Sequence, residues 1–340
     1  RTFGLDRPGL PHPPELSEAV DFDVTDQASI DAALSTVRRD GGDRVASVVH
    51  LAAYYDFSGE PSDLYDKVTV RGTERLLESL QRLGIHVGQF LFSSTMLVHA
   101  PGRPGDRITE DAPLEATWDY PKSKIDTERV MRDRRGGIPV VMLRLAGVYT
   151  DDCQSIPIAH QIQRIYERDL TSHVFPGDTD AGQSFVHLDD AVGAIRLCVD
   201  RRGELPPVLP LLVGEEDVLS YRDLQHALGE LIHGKEWHTL RVPKLVAKAG
   251  AYVQEKLPGG DPFIKPWMID LADDHYALDI SRARNLLGWA PRRSRRDTLP
   301  AMVAALKADP AAWYRENKLQ PPDSVQEGRP APPSEESHAS

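Results

Sequence analysis

The sequence predicts a doubly wound α/β fold, in which a parallel β-sheet is covered by helices on both faces. Helix and strand signals alternate along the first 150 residues or so, which is the pattern of a parallel sheet with crossover helices. At least one strand segment, 138–145, is almost wholly apolar, as expected of a strand buried on both faces. The 340 residues suffice for one large α/β domain or for a main domain with a smaller one.

The first elements follow from capping residues and leucine spacing. Asp26 is placed to cap a helix over 27–39, and a Gly41-Gly42 turn then leads into an apolar strand over 46–51. A second helix is predicted over 71–83, because its leucines recur on one face, and Gly84 ends it.

The next elements bring polar residues to the end of a strand. A strand over 89–94 runs into hydroxyl side chains. Pro121 suits the first turn of a helix that stops at Gly136-Gly137, and the strand over 138–145 follows. We therefore expect 1–150 to form the main α/β part of the protein. Residues 151–319 are predicted to form a substrate-binding part, and the Pro- and Ser-rich stretch 320–340 a disordered tail.

Charge and cysteine content exclude several classes of protein. The net charge is −12 and the acidic residues are scattered, which disfavours a nucleic-acid partner. Cys153 and Cys198 lie far apart in no metal-ligand pattern, so neither a disulfide framework nor a metal site is indicated. The apolar stretch 242–257 is interrupted by charged residues and cannot span a bilayer. A reducing cytoplasm is the expected location.

The strongest chemical signal is the segment Asp119-Tyr-Pro-Lys-Ser-Lys124. Tyr120 and Lys124 are four residues apart and share one face of the predicted helix. A lysine cation one turn from a phenol is expected to lower the tyrosine pKa toward the working range, which would make Tyr120 a general acid and base for a carbinol proton. Ser93-Ser-Thr95 ends the preceding strand, so a hydroxyl there can hold a substrate oxygen against Tyr120.

With these residues, the sequence resembles the extended short-chain dehydrogenase/reductase family, which includes NAD-dependent epimerases and dehydratases. The resemblance covers residues 1 to about 291 and rests on motifs that occur in the family's order. They are Phe3-Gly-Leu-Asp6, Asp23-Val24, His50-Leu-Ala-Ala53, Gly72-Thr73, Ser93-Ser-Thr95, Tyr120-x-x-x-Lys124, Arg144-x-x-x-Val-Tyr149, Phe185-Val-His-Leu-Asp-Asp190 and Leu287-Gly-Trp289.

The resemblance implies a Rossmann-type fold and a role for each matched residue. It makes 1–150 the NAD(P)-binding part, without its first βα unit, and has 151–319 contribute the last elements of the sheet. Thr95, Tyr120 and Lys124 take the catalytic positions, with Lys124 also holding the nicotinamide ribose. The implied cofactor-binding residues are Asp6, Arg7, Asp23, Val24, Leu51, Ala52, Ala53, Ser93, Tyr120, Lys124, Leu145, Gly147 and Val148. The implied substrate-binding residues are Thr95, Met96, His99, Tyr149 and Gln183. A carboxylate at Asp6 would repel a 2′-phosphate, so NAD is expected, while Arg7 leaves NADP as an alternative.

Some family features are missing from the chain. The Gly-rich loop that cradles a pyrophosphate does not stand before Asp6. We therefore expect the first strand, this loop and the first helix to precede the chain shown; without them, cofactor binding should be impaired and one sheet position empty. Gly147 and Gln183 stand where nucleotide-sugar members tend to carry an asparagine and a diphosphate-binding arginine. The lost phosphate contact disfavours a sugar nucleotide.

Three functions follow in order of preference. The first is NAD(P)-dependent interconversion of a secondary alcohol and a ketone in a small-molecule substrate. The second is a nucleotide-sugar epimerase or dehydratase, which would return the hydride to the same substrate. The third is a cofactor-binding sensor or scaffold with weak catalysis. The family resemblance also implies a homodimer. His187, inside a family motif, is expected to be structural. Trp267, Met268 and Tyr276 are expected to pack in the core rather than line a pocket.

Overall fold

The computed structural model describes residues 1–10, 16–56, 59–256 and 264–326. Its centre is a parallel sheet with the strand order β11-β7-β6-β4. The strands are β4 (Val48–His50), β6 (Phe90–Thr95), β7 (Val140–Leu145) and β11 (Val208–Val213). Thr95 is the register partner of Leu145, so β6 and β7 end level with each other.

The central sheet is buried on both faces, as the apolar strands predict. Successive residues of a strand point to opposite faces, and here Phe90 and Phe92 enter one core cluster while Leu91 enters another. The first face is covered by α1 (Gln27–Gly41), α2 (Arg71–Arg82) and α3 (Asp119–Arg134). The second is covered by α5 (Leu188–Asp200) and α9 (Ser281–Leu287). The predicted α/β fold with helices on both faces is therefore confirmed.

The other strands form parallel pairs beside the central sheet. Within the described ranges, β1 is hydrogen-bonded to β2 and β4 to β6, and no strand joins β1 to β4. The pairs are β1 (Phe3–Asp6) with β2 (Glu18–Asp21), β3 (Arg44–Val45) with β5 (His86–Val87), β8 (Gly147–Tyr149) with β10 (Phe185–His187), and β9 (Val174–Phe175) with β12 (Leu240–Arg241).

A third core cluster lies in the later part of the chain. It is built from Tyr149, Phe185 and the apolar faces of α4 (Ile156–Tyr166), α6 (Tyr221–His233), α10 (Arg295–Ala308) and α11 (Pro310–Glu316). The remaining helices are α7 (Lys244–Lys256), α8 (Pro266–Asp270) and α12 (Asp323–Gln326). Val325 on α12 is buried in this cluster, so 323–326 are helical where a disordered tail was predicted. The rest of that predicted tail, 327–340, lies outside the described residues.

Predicted and observed element bounds agree to within a few residues for the main helices. Asp26 caps α1 as predicted, since its side chain accepts a hydrogen bond from the backbone N–H of Ala28. The strand predicted over 46–51 is shorter and runs over Val48–His50, and Arg44–Val45 before it form the separate strand β3, which pairs with β5. Among the described residues, no helix is long and apolar enough to span a membrane.

Candidate active site

The three predicted catalytic side chains meet where β6 ends. Thr95 is the last residue of β6, and Tyr120 and Lys124 lie on the first turns of α3. A side-chain hydrogen bond joins Thr95 to Tyr120. Thr95 also caps the 3₁₀ turn Met96–Val98 by accepting from the backbone N–H of Leu97 at 3.3 Å. The end of β6 and the start of α3 thus place two hydroxyls side by side. Tyr120 is half-buried.

Lys124 is held tightly beneath this pair. Its side chain is 2% exposed, and its Nζ donates a 2.6 Å hydrogen bond to the backbone carbonyl of Ser93. The Nζ lies 4.5 Å from the centroid of the Phe92 ring and 5.7 Å from that of the Tyr120 ring. The ammonium is therefore fixed between β6 and the phenol by one strong acceptor and two aromatic faces.

The pKa values of this pair differ from the expectation. Burial raises the pKa of Tyr120 to about 12, although the hydrogen bond from Thr95 acts in the opposite direction. Burial likewise lowers the pKa of Lys124 to about 7, which Glu128 partly opposes. The lowered tyrosine pKa that the sequence predicted is thus wrong, because the pKa of Tyr120 is raised. Desolvation disfavours the charged form of both groups and is the largest cause of each pKa shift.

Aromatic side chains surround Tyr120. The Tyr55 ring meets it edge-on with centroids 4.6 Å apart, and Trp118 lies 5.5 Å away. Trp267, from α8, lies 5.3 Å from Trp118. The expectation that Trp267 and Met268 pack in the core is wrong, because both are half-buried and neither belongs to a core cluster. Tyr276 does pack in the core and is 5% exposed. We call Tyr55, Trp118 and Trp267 the aromatic wall.

The residues predicted to bind the cofactor lie at strand ends. Asp6 ends β1 and accepts a 2.8 Å hydrogen bond from the N–H of Arg7. Asp23 follows β2, and hydrogen bonds from Thr25 hold the pKa of its carboxyl below the usual range. Val24 packs against the start of α2 so closely that a Cβ on Gly72 would lie 2.8 Å from Val24 Cγ2.

The ends of β4 and β7 carry the other predicted cofactor residues. Leu51 is 57% exposed, and Ala52 is exposed beside it, so an apolar surface faces outward just after β4. Ala53, Leu145 and Val148 are half-buried. Gly147 is packed against a core side chain, because a Cβ there would lie 2.7 Å from the Phe185 ring. An exposed carboxylate at Asp6, this apolar surface and the Lys124 ammonium are groups that suit a ribose, a flat ring and a second ribose.

Two predicted substrate contacts are wrong. His99 is 0% exposed: its Nε2 accepts from Arg144 at 3.0 Å, which leaves Nδ1–H to donate to the Ala112 carbonyl at 3.1 Å. Burial lowers the pKa of His99 to about 4, so the ring is neutral. Tyr149 is also 0% exposed, and its hydroxyl donates to Glu215 Oε1 at 2.7 Å. Both side chains are used inside the protein, where a substrate cannot reach them.

The other two predicted substrate residues are placed differently. Met96 is 3% exposed and belongs to the core cluster on the second face of the sheet, so packing accounts for it. Gln183 is half-buried and its backbone bridges to that of Tyr276, and its predicted substrate contact stays a prediction. His187 has the structural role expected of it, because its Nδ1 accepts from the Asp189 N–H and caps α5.

The sequence interpretation missed a buried network directly below the site. Glu128, one turn beyond Lys124 on α3, forms two hydrogen bonds with Arg144, at 3.0 and 2.7 Å. Ser94 donates to the same carboxylate at 2.7 Å, and Arg144 also donates to the Glu110 carbonyl at 2.8 Å. A glutamate at the spacing Lys124-x-x-x-Glu128 was the available signal. The network joins α3 to β6 and β7 and so fixes the strand ends that carry the site.

The structure also has a groove that is separate from this site. It has a volume of about 800 Å³ and is lined by residues that precede β4, β6 and β7, among them Val45, Gly88 and Ile138. Since the strands are parallel, this groove opens at the edge opposite to Thr95 and Tyr120. Among the described residues, no group of three His, Cys, Asp or Glu side chains could hold a metal ion.

Comparison with known proteins identifies the family. Residues 2–208 match the model of the NAD dependent epimerase/dehydratase family. The chain belongs to this family. Both the predicted resemblance and NAD as the expected cofactor are confirmed, and the chain is an enzyme of the extended short-chain dehydrogenase/reductase type.

Two curated relatives span most of the chain. Over 277 residues, covering 80% of this chain and 72% of the relative, it is 27% identical to dTDP-glucose 4,6-dehydratase of Streptomyces griseus. Over 264 residues, covering 72% of each chain, it is 24% identical to the decarboxylating sterol-4-alpha-carboxylate 3-dehydrogenase of Saccharomyces cerevisiae.

Solved structures show the same fold. The UDP-glucuronic acid 4-epimerase of Bacillus cereus in complex with NAD superposes with a TM-score of 0.65 over 90% of both chains, at 20% identity. The UDP-glucose 4-epimerase of Thermotoga maritima with UDP-glucose gives a TM-score of 0.62 over 90% of both chains, at 18% identity.

Proposed function

We propose that this enzyme oxidises a secondary hydroxyl of a nucleotide sugar to a ketone with NAD, as the first step of an epimerisation or dehydration. The observation that carries the proposal is the hydrogen-bonded Thr95–Tyr120 pair, with Lys124 fixed one turn further along α3. Two adjacent hydroxyls, one of them a phenol, form the minimum site for moving a proton on and off a carbinol oxygen.

The residues of the chain divide the work of this step. NAD, when bound, supplies the hydride acceptor. Thr95 holds the substrate oxygen beside Tyr120, and the proton leaves the hydroxyl for Tyr120 Oη. Because burial keeps the phenol protonated, any positive charge added at the site favours the phenolate that this transfer needs. Lys124 supplies such a charge when its side-chain amine is protonated.

Other groups suit the cofactor itself. Asp6 presents a carboxylate of the kind that hydrogen-bonds an adenine ribose, and Leu51 with Ala52 presents apolar surface to a flat ring. Lys124 and the Ser93 carbonyl lie where β6 ends, the edge at which open α/β sheets bind ligands.

The choice of a nucleotide sugar reverses the order of preference that the sequence suggested. Gly147 and Gln183 disfavoured this class, but the dTDP-glucose dehydratase relative and the nucleotide-sugar epimerases of the same fold support it. The Phe185 ring also leaves no room for a Cβ at position 147. Packing therefore explains why Gly147 stands where nucleotide-sugar members tend to carry an asparagine. The predicted homodimer stays a prediction.

A second candidate is the net oxidation of a ring alcohol that carries no nucleotide. The aromatic wall beside Tyr120 favours it, because such a surface binds apolar rings. The sterol dehydrogenase relative gives it further support.

The test compares Tyr120→Phe with a matched control. Tyr120→Phe keeps the ring contacts with Tyr55 and Trp118 and removes only the hydroxyl, whereas Tyr166→Phe does the same on α4. We expect Tyr120→Phe to lower kcat by a factor of about 10²–10⁴ while NAD affinity, measured by calorimetry, stays nearly unchanged. UDP-glucose and dTDP-glucose are followed by chromatography, and ring alcohols by NADH absorbance. Full turnover in Tyr120→Phe would refute the proposal.

A further inference from the structure

We propose that the aromatic wall binds the ring that carries the reacting hydroxyl, so that the enzyme recognises its substrate by the C–H face of a six-membered ring. The inference rests on the proposed function, because it takes Tyr120 as the group that meets the carbinol. It goes further by assigning substrate recognition to Tyr55, Trp118 and Trp267.

The wall and the acid/base residue form one continuous set of ring contacts. Tyr55 stands at 77° to the Tyr120 ring, with centroids 4.6 Å apart. Trp118 is inclined at 37° to Tyr120 and at 40° to Trp267, at 5.5 and 5.3 Å. Tyr55 and Trp118 themselves meet edge-on at 6.5 Å. Each ring therefore touches Tyr120 directly or through one neighbour.

These rings come from three separate parts of the chain. Tyr55 follows β4, Trp118 is the residue before α3 and Trp267 lies on α8. Gly59 packs against the last of them: its φ is +75°, and a Cβ there would collide with the Trp267 indole nitrogen. The sheet edge and the later part of the chain thus converge on Tyr120.

The wall is not a core cluster. Tyr55 is 44% exposed, and Trp118 and Trp267 are half-buried, whereas the core tryptophans Trp289 and Trp313 are 3% and 2% exposed. None of the three wall residues belongs to any of the three core clusters. Part of the apolar ring surface of each wall residue is therefore exposed near Tyr120, and covering it is favourable.

This chemistry selects a particular kind of ligand. The faces of tyrosine and tryptophan carry negative charge density, which attracts polarised C–H groups as well as apolar surface. A six-membered ring laid on this wall would direct its hydroxyl edge toward Tyr120 and Thr95. Two sources share this chemistry: the pyranose ring of a nucleotide sugar and the carbocyclic ring of an alicyclic alcohol.

The experiment measures binding in the NAD-saturated full chain, so its result does not depend on turnover. The probes are UDP-glucose, decalin-2-ol and UDP, which lacks the glucose ring of UDP-glucose. Trp118→Ala removes the central member of the wall, and Trp118→Phe restores a smaller aromatic ring. Tyr166→Ala removes a half-buried aromatic residue that packs against the core cluster of α4 and is the matched control.

We expect Trp118→Ala to weaken the binding of UDP-glucose or decalin-2-ol about tenfold. Trp118→Phe should recover most of this loss, and UDP binding should stay unchanged. The more strongly affected probe identifies the source of the ring. Three results would overturn the inference. In Trp118→Ala, UDP and UDP-glucose could lose affinity equally, or UDP-glucose and decalin-2-ol could both keep their affinity. The parent protein could also bind neither UDP-glucose nor decalin-2-ol. If Tyr120→Phe kept full turnover while Trp118→Ala still weakened ring binding, the proposed function would be contradicted and the role of the aromatic wall in binding would stand.

Discussion

Glu128 and Arg144 form an ion pair with two hydrogen bonds, and each side chain is only 1% exposed. Ser94, next to the strand end that carries Thr95, donates to the same carboxylate. The pair thus connects the helix of Tyr120 and Lys124 with β6 and β7. Removing one partner of a buried ion pair is strongly destabilising, because the other partner is left as a buried charge without its counterion.

Arg144→Ala is expected to lower the free energy of unfolding by about 3–5 kcal/mol, because it leaves the buried Glu128 carboxylate with only the more distant Arg132, at 3.9 Å, as a cationic partner. The measurement is urea unfolding followed by circular dichroism. Arg129→Ala is the control, since Arg129 pairs with Asp126 on the exposed face of the same helix at 2.7 Å. That variant should lose less than about 1 kcal/mol. Similar losses in the two variants would show that the buried pair has no special weight.

Thr95→Val should lower kcat roughly 10²-fold, because it removes the hydroxyl that hydrogen-bonds Tyr120. The valine side chain has nearly the same volume as the threonine side chain. Thr95→Ser retains the hydroxyl and is expected to keep most of the activity. Initial rates with saturating NAD separate the two variants. If Thr95→Val turned over like the parent, Thr95 would only cap the turn Met96–Val98.

Lys124 should make stability depend on pH above neutrality. Its pKa falls from 10.5 in the unfolded chain to about 7 in the folded one, so between these values the unfolded state binds the extra proton. The free energy of unfolding therefore rises with pH through this window, while below about pH 7 the folded state bears the cost of the buried charge.

Lys124→Met removes this contribution. The free energy of unfolding of the parent, minus that of the variant, should increase from pH 7 to about pH 9. The comparison stops there because an ordinary tyrosine titrates near pH 10. A difference that stays constant with pH would mean that Lys124 keeps its ordinary pKa in the folded protein.

Gly72→Ala is expected to destabilise the protein by about 1–3 kcal/mol, because the new Cβ would lie 2.8 Å from Val24 Cγ2. Adding Val24→Ala should recover part of the loss by freeing that space. Gly193→Ala on α5 meets no atom within 4 Å and should instead stabilise by about 0.5–1 kcal/mol. Thermal unfolding of the three variants checks the order, and a neutral Gly72→Ala would show that α2 can shift away from Val24.

The sequence by itself determined the α/β class, the cap at Asp26 and the juxtaposition of Thr95, Tyr120 and Lys124. These features depend on local rules, namely helix periodicity, capping and the level ends of neighbouring parallel strands, which operate over a few residues or one strand pairing. Ordered motifs then sufficed to identify the family.

Only the tertiary structure decided what surrounds these residues. It placed His99 and Tyr149 inside the protein, where Arg144 and Glu215 use their polar atoms, and it brought Trp267 next to Trp118 across about 150 residues of sequence. It also showed that burial, and not the charge of Lys124, sets the pKa of Tyr120. Burial and long-range contact depend on how separate elements pack, and the identity or spacing of residues in one segment carries no measure of either.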